Sequence, residues 1–277
     1  MTEILRCGRF ELRLARPLVM GVVNVTPDSF YDGGRYGTPQ AAIVQARRLA
    51  EEGADLLDVG GESTRPGAAP VTAEEELARI LPVLEGIADL QVPVSVDTTK
   101  PEVMRTALAR GAAMINDITA LASPGALELV AAADAAVCLM HMQGSPRTMQ
   151  AEPTYADVVG EVRDFLAARA AACVAAGIAR DRIVVDPGFG FGKTVAHNLT
   201  LLARLGEIAA LGFPVLAGWS RKSSLGRITG RPADDRLAAS VAAAMLAVQR
   251  GARILRVHDV AATRDALAVL AAVEGGG

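Results

Sequence analysis

The sequence predicts a closed (β/α)8 barrel, and three observations carry the prediction. Short apolar runs rich in Val, Ile and Leu recur along the chain, segments with helical spacing separate them, and a glycine closes five of those helical segments. In order, the runs are Leu18 to Val25, Leu56 to Val59, Val94 to Val96, Met114 to Ile115, Ala136 to Met140, Ile183 to Val185, Val215 to Ala217 and Ile254 to Val257. Their residues are apolar at successive rather than alternate positions, as in parallel strands buried on both faces. Between them, helical spacing covers Pro39 to Glu52, Ala73 to Leu90, Pro101 to Arg110, Tyr155 to Ala176, Leu199 to Leu211 and Leu237 to Arg250.

The helix ends are signalled too. Thr38 before Pro39 reads as an N-cap followed by a proline at the first helical position, and Thr72 with Glu75, and Thr99 with Glu102, have capping-box spacing. Gly53, Gly111, Gly177, Gly212 and Gly251 close helical runs at the position where a left-handed residue is needed. A doubly wound open sheet is the runner-up. It is disfavoured because the strands are evenly spread and each ends in a polar cluster, as expected when all the C-terminal ends line one site.

The chain has 277 residues and is 51% hydrophobic, enough to bury the core of one barrel domain over residues 1–277, with a short lead-in at 1–17 and frayed glycines at 275–277. The net charge of -3 offers no basic footprint for nucleic acid, and the apolar runs are too short to span a bilayer. Cys7, Cys138 and Cys173 are widely spaced, which fits neither a disulfide framework nor a clustered metal site and points to a reducing, cytoplasmic setting. The acidic residues in the opening segment argue against a signal peptide.

The residues just after each strand are Asn24, Glu62 to Arg65, Asp97, Asn116 with Asp117, His141, Asp186, Ser220 to Ser223, and Arg256 to Asp259. In a barrel they converge on one mouth. Any one of them taken alone is as readily a loop-starting polar residue. Together, Asp97, Asn116 and Asp186 form an acceptor set suited to a flat heterocycle bearing an amino group and a ring N–H, while Asp117 and Asp259 read better as caps for the helices after them. Arg65, Arg221 with Lys222, and Arg256 with His258 look directed at an anion, since the loops after the last two strands of a barrel are its usual phosphate site. GFGFGKT at Gly188 to Thr194 is a decoy: the phosphate-loop spacing would put its first glycine at Pro187. His141, His197 and His258 lack zinc-site spacing, and His197 falls at a helix start.

With these residues in hand, GVVNVTPDSFYDGG from Gly21, DVGGESTRPG from Asp58 and DPGFGFGKT from Asp186 resemble the dihydropteroate synthase family, and SVDTTKP, INDI, LMHMQG, GWSRKSSLG and RVHDV come in the family's order. The resemblance covers nearly the whole chain after Leu18. It implies that p-aminobenzoate displaces pyrophosphate from (7,8-dihydropterin-6-yl)methyl diphosphate, with Mg2+ assisting. By that similarity Asp97, Asn116, Asp186, Lys222 and Met140 would hold the pterin. Asn24, Thr64, Arg65, Arg256 and His258 would hold the pyrophosphate, with Asn24 also on the metal. Phe30, Thr64, Pro66, Phe191 and Ser223 would receive p-aminobenzoate. Asp97, Lys222, Arg65 and Asp32 would be the catalytic set, Asp32 and Arg65 meeting as the glycine-rich loops close, and family members are commonly homodimers.

Pyrophosphate leaves once its charge is neutralised, and the methylene it abandons is stabilised by the electron-rich pterin, so an SN1-like path is expected. No protein nucleophile is needed, and Ser220 has no histidine base within its own motif. Trp219 beside Ser220, and Ser224 after Ser223, depart from the family pattern and bear on inhibitor fit. Two other readings compete. A pterin-binding barrel that moves a methyl group from a reduced folate could share the acceptor set but would not need the anion-directed residues, and a non-catalytic pterin-binding paralogue would have lost them.

Overall fold

In the computed structural model, which describes residues 3–26, 38–64, 68–145 and 148–275, eight parallel strands close into a ring. They are β3 (Leu18–Asn24), β4 (Leu56–Gly60), β5 (Val94–Asp97), β6 (Met114–Asp117), β7 (Ala136–Met140), β8 (Ile183–Asp186), β9 (Val215–Ala217) and β10 (Ala252–Val257). Pairing of β10 with both β3 and β9 closes the ring, with Ile254 opposite Leu18 and Arg256 opposite Met20, and rules out the open doubly wound sheet. The outer layer is α1 (Pro39–Glu51), α2 (Ala73–Gly86), α3 (Pro101–Ala109), α4 (Ala126–Ala131), α5 (Val158–Ala175), α6 (Val195–Ala203), α7 (Leu205–Ala209), α8 (Ser223–Thr229), α9 (Leu237–Gln249) and α10 (Val260–Gly275).

Side chains alternate across each strand. Leu57, Val59, Val96, Ile115, Leu139, Val185 and Leu255 pack outward against the helices. The lower inward layer, Leu18, Met20, Leu56, Met114, Cys138, Val184, Leu216 and Ile254, forms a second apolar core inside the ring. Above it the inward positions turn polar: Asp58, Asn116, Asp186 and Arg256 stand two residues further along the same strands, and Ser95 and Asp97 take the same face of β5. β4, β5, β6, β8 and β10 therefore read largely as apolar runs and still deliver polar side chains to the top of the ring.

The lead-in is more than a lead-in. Residues Ile4–Cys7 (β1) and Phe10–Arg13 (β2) form an antiparallel hairpin whose Leu5 and Cys7, followed by Leu14, are buried against the inner core and plug the ring from below.

Helix ends mostly obey local chemistry. The Thr38 side chain accepts from Ala41 N, and Thr72 with Glu75 makes a complete capping box. Thr99 with Glu102 does not: α3 begins at Pro101 behind Lys100, with no side-chain cap, because proline fixes the start and the Lys100 ammonium is drawn to two carboxylates. The single helix expected over Leu199 to Leu211 is two. Its first half begins early, at Val195, because Thr194 and His197 make a capping box, and it ends at Arg204. Gly275, expected to be frayed, is the last residue of α10. Among the described residues no helix is long and apolar enough to cross a membrane.

Candidate active site

The register lines up the strand ends: Asn24 opposite Gly60, Gly60 opposite Asp97, Asp97 opposite Asn116, and Met140 opposite Asp186. The polar layer is linked across the ring. Arg256 donates from Nε to Asp58 Oδ2 at 2.6 Å and from Nη2 to Asp97 Oδ2 at 2.9 Å, and Asn116 Nδ2 donates to the same Asp58 oxygen at 3.1 Å. Lys222, just after β9, donates from Nζ to the Phe189 carbonyl, and that ammonium lies 4.6 Å from the centre of the Phe191 ring, a cation–π contact. A Cβ added to Gly218 would stand 3.8 Å from Lys222 Nζ and 3.9 Å from Arg256 Cβ, so the two cations flank one opening. Asp186 Oδ1 is fixed by the Gly188 N–H at 2.7 Å.

Enclosure sets the charges. Burial pushes the Asp97 carboxyl up to about 7; Arg256 opposes the shift, and Asp58, Glu76 and Asp117 reinforce it. Burial also raises Asp186, against the pull of Lys222, Lys193 and Arg256. Lys222 is lowered to about 8 by burial and by Arg256, while Asp186 and Asp97 hold it up. For Arg256 burial works against the charge, and Asp58 and Asp97 more than restore it. Two carboxyls raised and an amine lowered at one mouth mark a functional site.

The loop after β8 is built by glycines against its neighbour. Gly188 and Gly192 have φ of +68° and +60°, and a Cβ there would approach the carbonyls of His141 and Gln143 to 2.0 and 2.4 Å. Beneath it, Lys193 is buried, its Nζ bound to His141 Nδ1 at 3.0 Å and to the carbonyls of His141, Gly188 and Phe191. Burial lowers Lys193 to about 7 and His141 to about 3. The sequence that imitates a phosphate loop is a turn braced from below.

Not every strand-end residue faces the mouth. Glu62 is paired with Lys100 at 2.6 Å and its other oxygen accepts from Val71 N, so it ties the two ends of its own loop together. His141 packs edge-on against Phe165 of α5. Asp117 accepts from the Thr119 N–H and hydroxyl and from Leu121 N, closing a turn rather than capping a helix, since α4 begins behind Gly125. Arg221, expected to face an anion, makes a bidentate pair with Asp259, which precedes α10. Trp219 is buried against Phe189 with ring centroids 4.8 Å apart, and Ser224 is buried with its Oγ accepting from Asn198 Nδ2, so both departures from the family pattern are packing choices. Thr64 is half-buried after β4, Met140 is buried, Phe191 is half-buried and Ser223 is exposed at the first residue of α8. Phe30, Asp32, Arg65 and Pro66 lie outside the described residues.

Ser220 has no histidine in its own motif but meets one from another: its Oγ lies 2.9 Å from His258 Nδ1 and also accepts from His258 N at 3.1 Å, because β9 and β10 are neighbours although the residues are 38 apart. Sequence reasoning also missed Asp58, hidden inside an apolar run, and the buried Glu76, whose carboxylate meets Lys100.

A magnesium ion was expected at Asn24. Among the described residues no group of three or more histidine, cysteine, aspartate or glutamate side chains could hold a metal. Asn24 Oδ1 and Asp97 Oδ2 nevertheless lie 4.0 and 3.9 Å from the point a Cβ on Gly60 would occupy, leaving an oxygen-lined space. Mg2+ keeps most of its waters and takes one or two protein oxygens beside substrate phosphates, so this donor set fits.

A model of the family described as pterin binding enzyme matches residues 20–258. Dihydropteroate synthase of Neisseria meningitidis serogroup B is 54% identical over 274 residues, 96% of each chain. A Xanthomonas albilineans dihydropteroate synthase solved with 4-aminobenzoic acid superposes with a TM-score of 0.93 at 56% identity, covering 99% of both chains. A Burkholderia cenocepacia dihydropteroate synthase complexed with 7,8-dihydropteroate gives 0.90 at 55% identity, covering 99% of this chain and 97% of that one. Matched along its whole barrel in both sequence and shape, the chain belongs to the dihydropteroate synthase family.

Proposed function

We propose that the polar layer at the top of the barrel makes 7,8-dihydropteroate from (7,8-dihydropterin-6-yl)methyl diphosphate and p-aminobenzoate without a covalent enzyme intermediate. The observation that carries the reading is the ring formed by buried Asn116 and Asp186 with half-buried Asp97, Lys222 and Arg256. Asp186 and Asn116 offer acceptors to the amino group and ring N–H of a pterin, and Lys222 offers a donor, with Met140 against the ring. Arg256, anchored through Nε and Nη2, keeps Nη1 for the diphosphate. Ser220 meets His258 at Nδ1, which fixes the ring at the end of β10 where it serves the same anion site. Thr64, with Arg65 from the same loop, completes that anion site.

Departure begins with the C–O bond, whose electron pair leaves with pyrophosphate. The methylene cation left behind is delocalised into the pterin, and the Asp97 carboxylate stabilises it. The arylamine lone pair then forms the C–N bond, and the displaced proton goes to solvent or pyrophosphate. Phe191, in contact with Lys222, offers a face to the arylamine with Ser223 near its carboxylate, and the family resemblance adds Phe30 and Pro66 to this subsite. Asn24 would hold Mg2+, which when bound would neutralise charge on the leaving group. By the family resemblance Asp32 and Arg65 belong to the catalytic set.

The assay that tests this measures pyrophosphate and dihydropteroate together, with and without p-aminobenzoate. Equal amounts of the two products, both dependent on the arylamine over many turnovers, are expected; transfer of a methyl group from a reduced folate, or tight pterin binding with no product, would overturn the reading.

We also propose a homodimer. Leu237 and Leu246 of α9, Val269 and Val273 of α10 and Ile228 of α8 are exposed on adjacent helices, apolar area that a second copy would cover. Three buried free cysteines support a cytoplasmic location.

A further inference from the structure

Asp58 lies in the middle of β4, completely buried, and no step of the proposed reaction uses it. Its Oδ2 carries two hydrogen bonds, from Asn116 Nδ2 and Arg256 Nε, whereas Oδ1 has no hydrogen-bond partner among the described residues. Burying a carboxylate is unfavourable, and leaving one of its oxygens unbonded adds to the cost. Leucine, present two residues earlier on the same inward face, would fill such a position without either penalty. A group this costly is therefore explained by what it does to its two partners.

An asparagine amide is an acceptor on one side and a donor on the other, with almost the same shape either way round. A carboxylate only accepts, so Asp58 takes the Asn116 NH2 and leaves Asn116 Oδ1 to face elsewhere. The guanidinium of Arg256 is a rigid planar fork; with Nε on Asp58 and Nη2 on Asp97 its plane is settled and Nη1 is the end left over. One oxygen thus fixes which way round a neutral residue presents itself and how a charged one is tilted.

We propose that Asp58 is a positioning residue that sets the hydrogen-bonding polarity of the pterin seat, holding Asn116 with its amide oxygen toward the donor edge of the ring and Arg256 in the plane that serves the diphosphate. This rests on the pterin seat proposed above. It implies selectivity for heterocycles whose edge at Asn116 carries N–H groups over isosteres whose edge there carries acceptors.

Asp58→Asn tests it, because a neutral amide oxygen holds Asn116 and Arg256 more weakly than a carboxylate does and leaves an NH2 buried where Oδ1 has no partner. The exchange variant Asp58→Asn/Asn116→Asp restores a donor facing an acceptor and again presents a carboxyl oxygen to the ring. Binding of 6-hydroxymethylpterin is monitored by fluorescence, KM values for both substrates by turnover, and integrity by thermal unfolding. Asp58→Asn is expected to weaken pterin binding and raise the pterin diphosphate KM about tenfold or more, the worth of one hydrogen bond to a charged group. The p-aminobenzoate KM stays within about twofold, and the exchange variant recovers most of the pterin affinity. Parent-like pterin binding in Asp58→Asn, an equal rise in both KM values, or no recovery in the exchange variant would overturn the proposal. Should Asp58→Asn fail to fold, the exchange variant decides alone: pterin bound as by the parent supports the role, and pterin lost removes it. A parent that binds pterin but makes no dihydropteroate overturns the reaction instead, so the two failures are distinct.

Discussion

Asp97 and Lys222 set the pH range in which the site works. With the carboxyl raised to about 7 and the ammonium lowered to about 8, both are in their charged forms only over a narrow span, so kcat/KM for the pterin substrate is expected to rise through pH 7 and fall above pH 8. Asp97→Asn should lower activity and remove the acid limb; a profile flat from pH 6 to 9 in the parent would contradict this. Stability responds to both shifts. A raised carboxyl gives stability that is present below its unfolded value and lost as pH rises through 7, and a lowered lysine gives stability present above its unfolded value and lost as pH falls through 8. The site is thus least favourable to the fold at the pH where it is fully charged. At this scale the sequence was partly legible. Asp97, Asn116 and Asp186 directly succeed apolar runs, and Lys222 and Arg256 lie at or beyond the ends of the last two, so their position marks them. Asp58, Lys193 with His141, and Ser220 with His258 were not legible, because each acquires its meaning from a partner far along the chain.

Among the elements, the hairpin of β1 and β2 changes most between sequence and structure. Four-residue strands with charged residues at alternate positions read as an irregular lead-in, and only the inner core of the ring gives Leu5, Cys7 and Leu14 something to bury against. Leu5→Ala should therefore cost about 2–5 kcal/mol of stability, as truncation of a fully buried leucine does. Because the hairpin lies at the far end of the barrel from the strand ends, the KM values should stay at parent levels. Urea unfolding beside steady-state kinetics checks both; an unchanged midpoint would mean that the hairpin does not plug the ring. Helices α4 and α8 escaped notice for a different reason: at six and seven residues they are too short to display a period. The strands, by contrast, were legible throughout, since burial on both faces leaves little but valine, leucine, isoleucine, methionine and alanine until the polar layer begins.

For the molecule as a whole, ring closure turns a scattered set of residues into a site: β10 beside β3 brings Arg256 within hydrogen-bonding distance of Asp58, 198 residues earlier. The apolar residues exposed on α8, α9 and α10 belong to the same scale. Light scattering at micromolar concentration should return twice the chain mass of 28.7 kDa, and Leu246→Glu should shift it toward one copy; a parent measured at the single-chain mass would remove the dimer. The most direct test of the central claim, that charge and position at the mouth do the chemistry without a protein nucleophile, is the rate of dihydropteroate formation by Asp186→Asn, Lys222→Ala and Ser220→Ala with unfolding midpoints measured alongside. The expected result is a loss of about 100-fold or more for the first two, with folded protein, and of no more than about tenfold for Ser220→Ala. Parent-like rates for Asp186→Asn and Lys222→Ala, or complete loss in a folded Ser220→Ala enzyme, would contradict it.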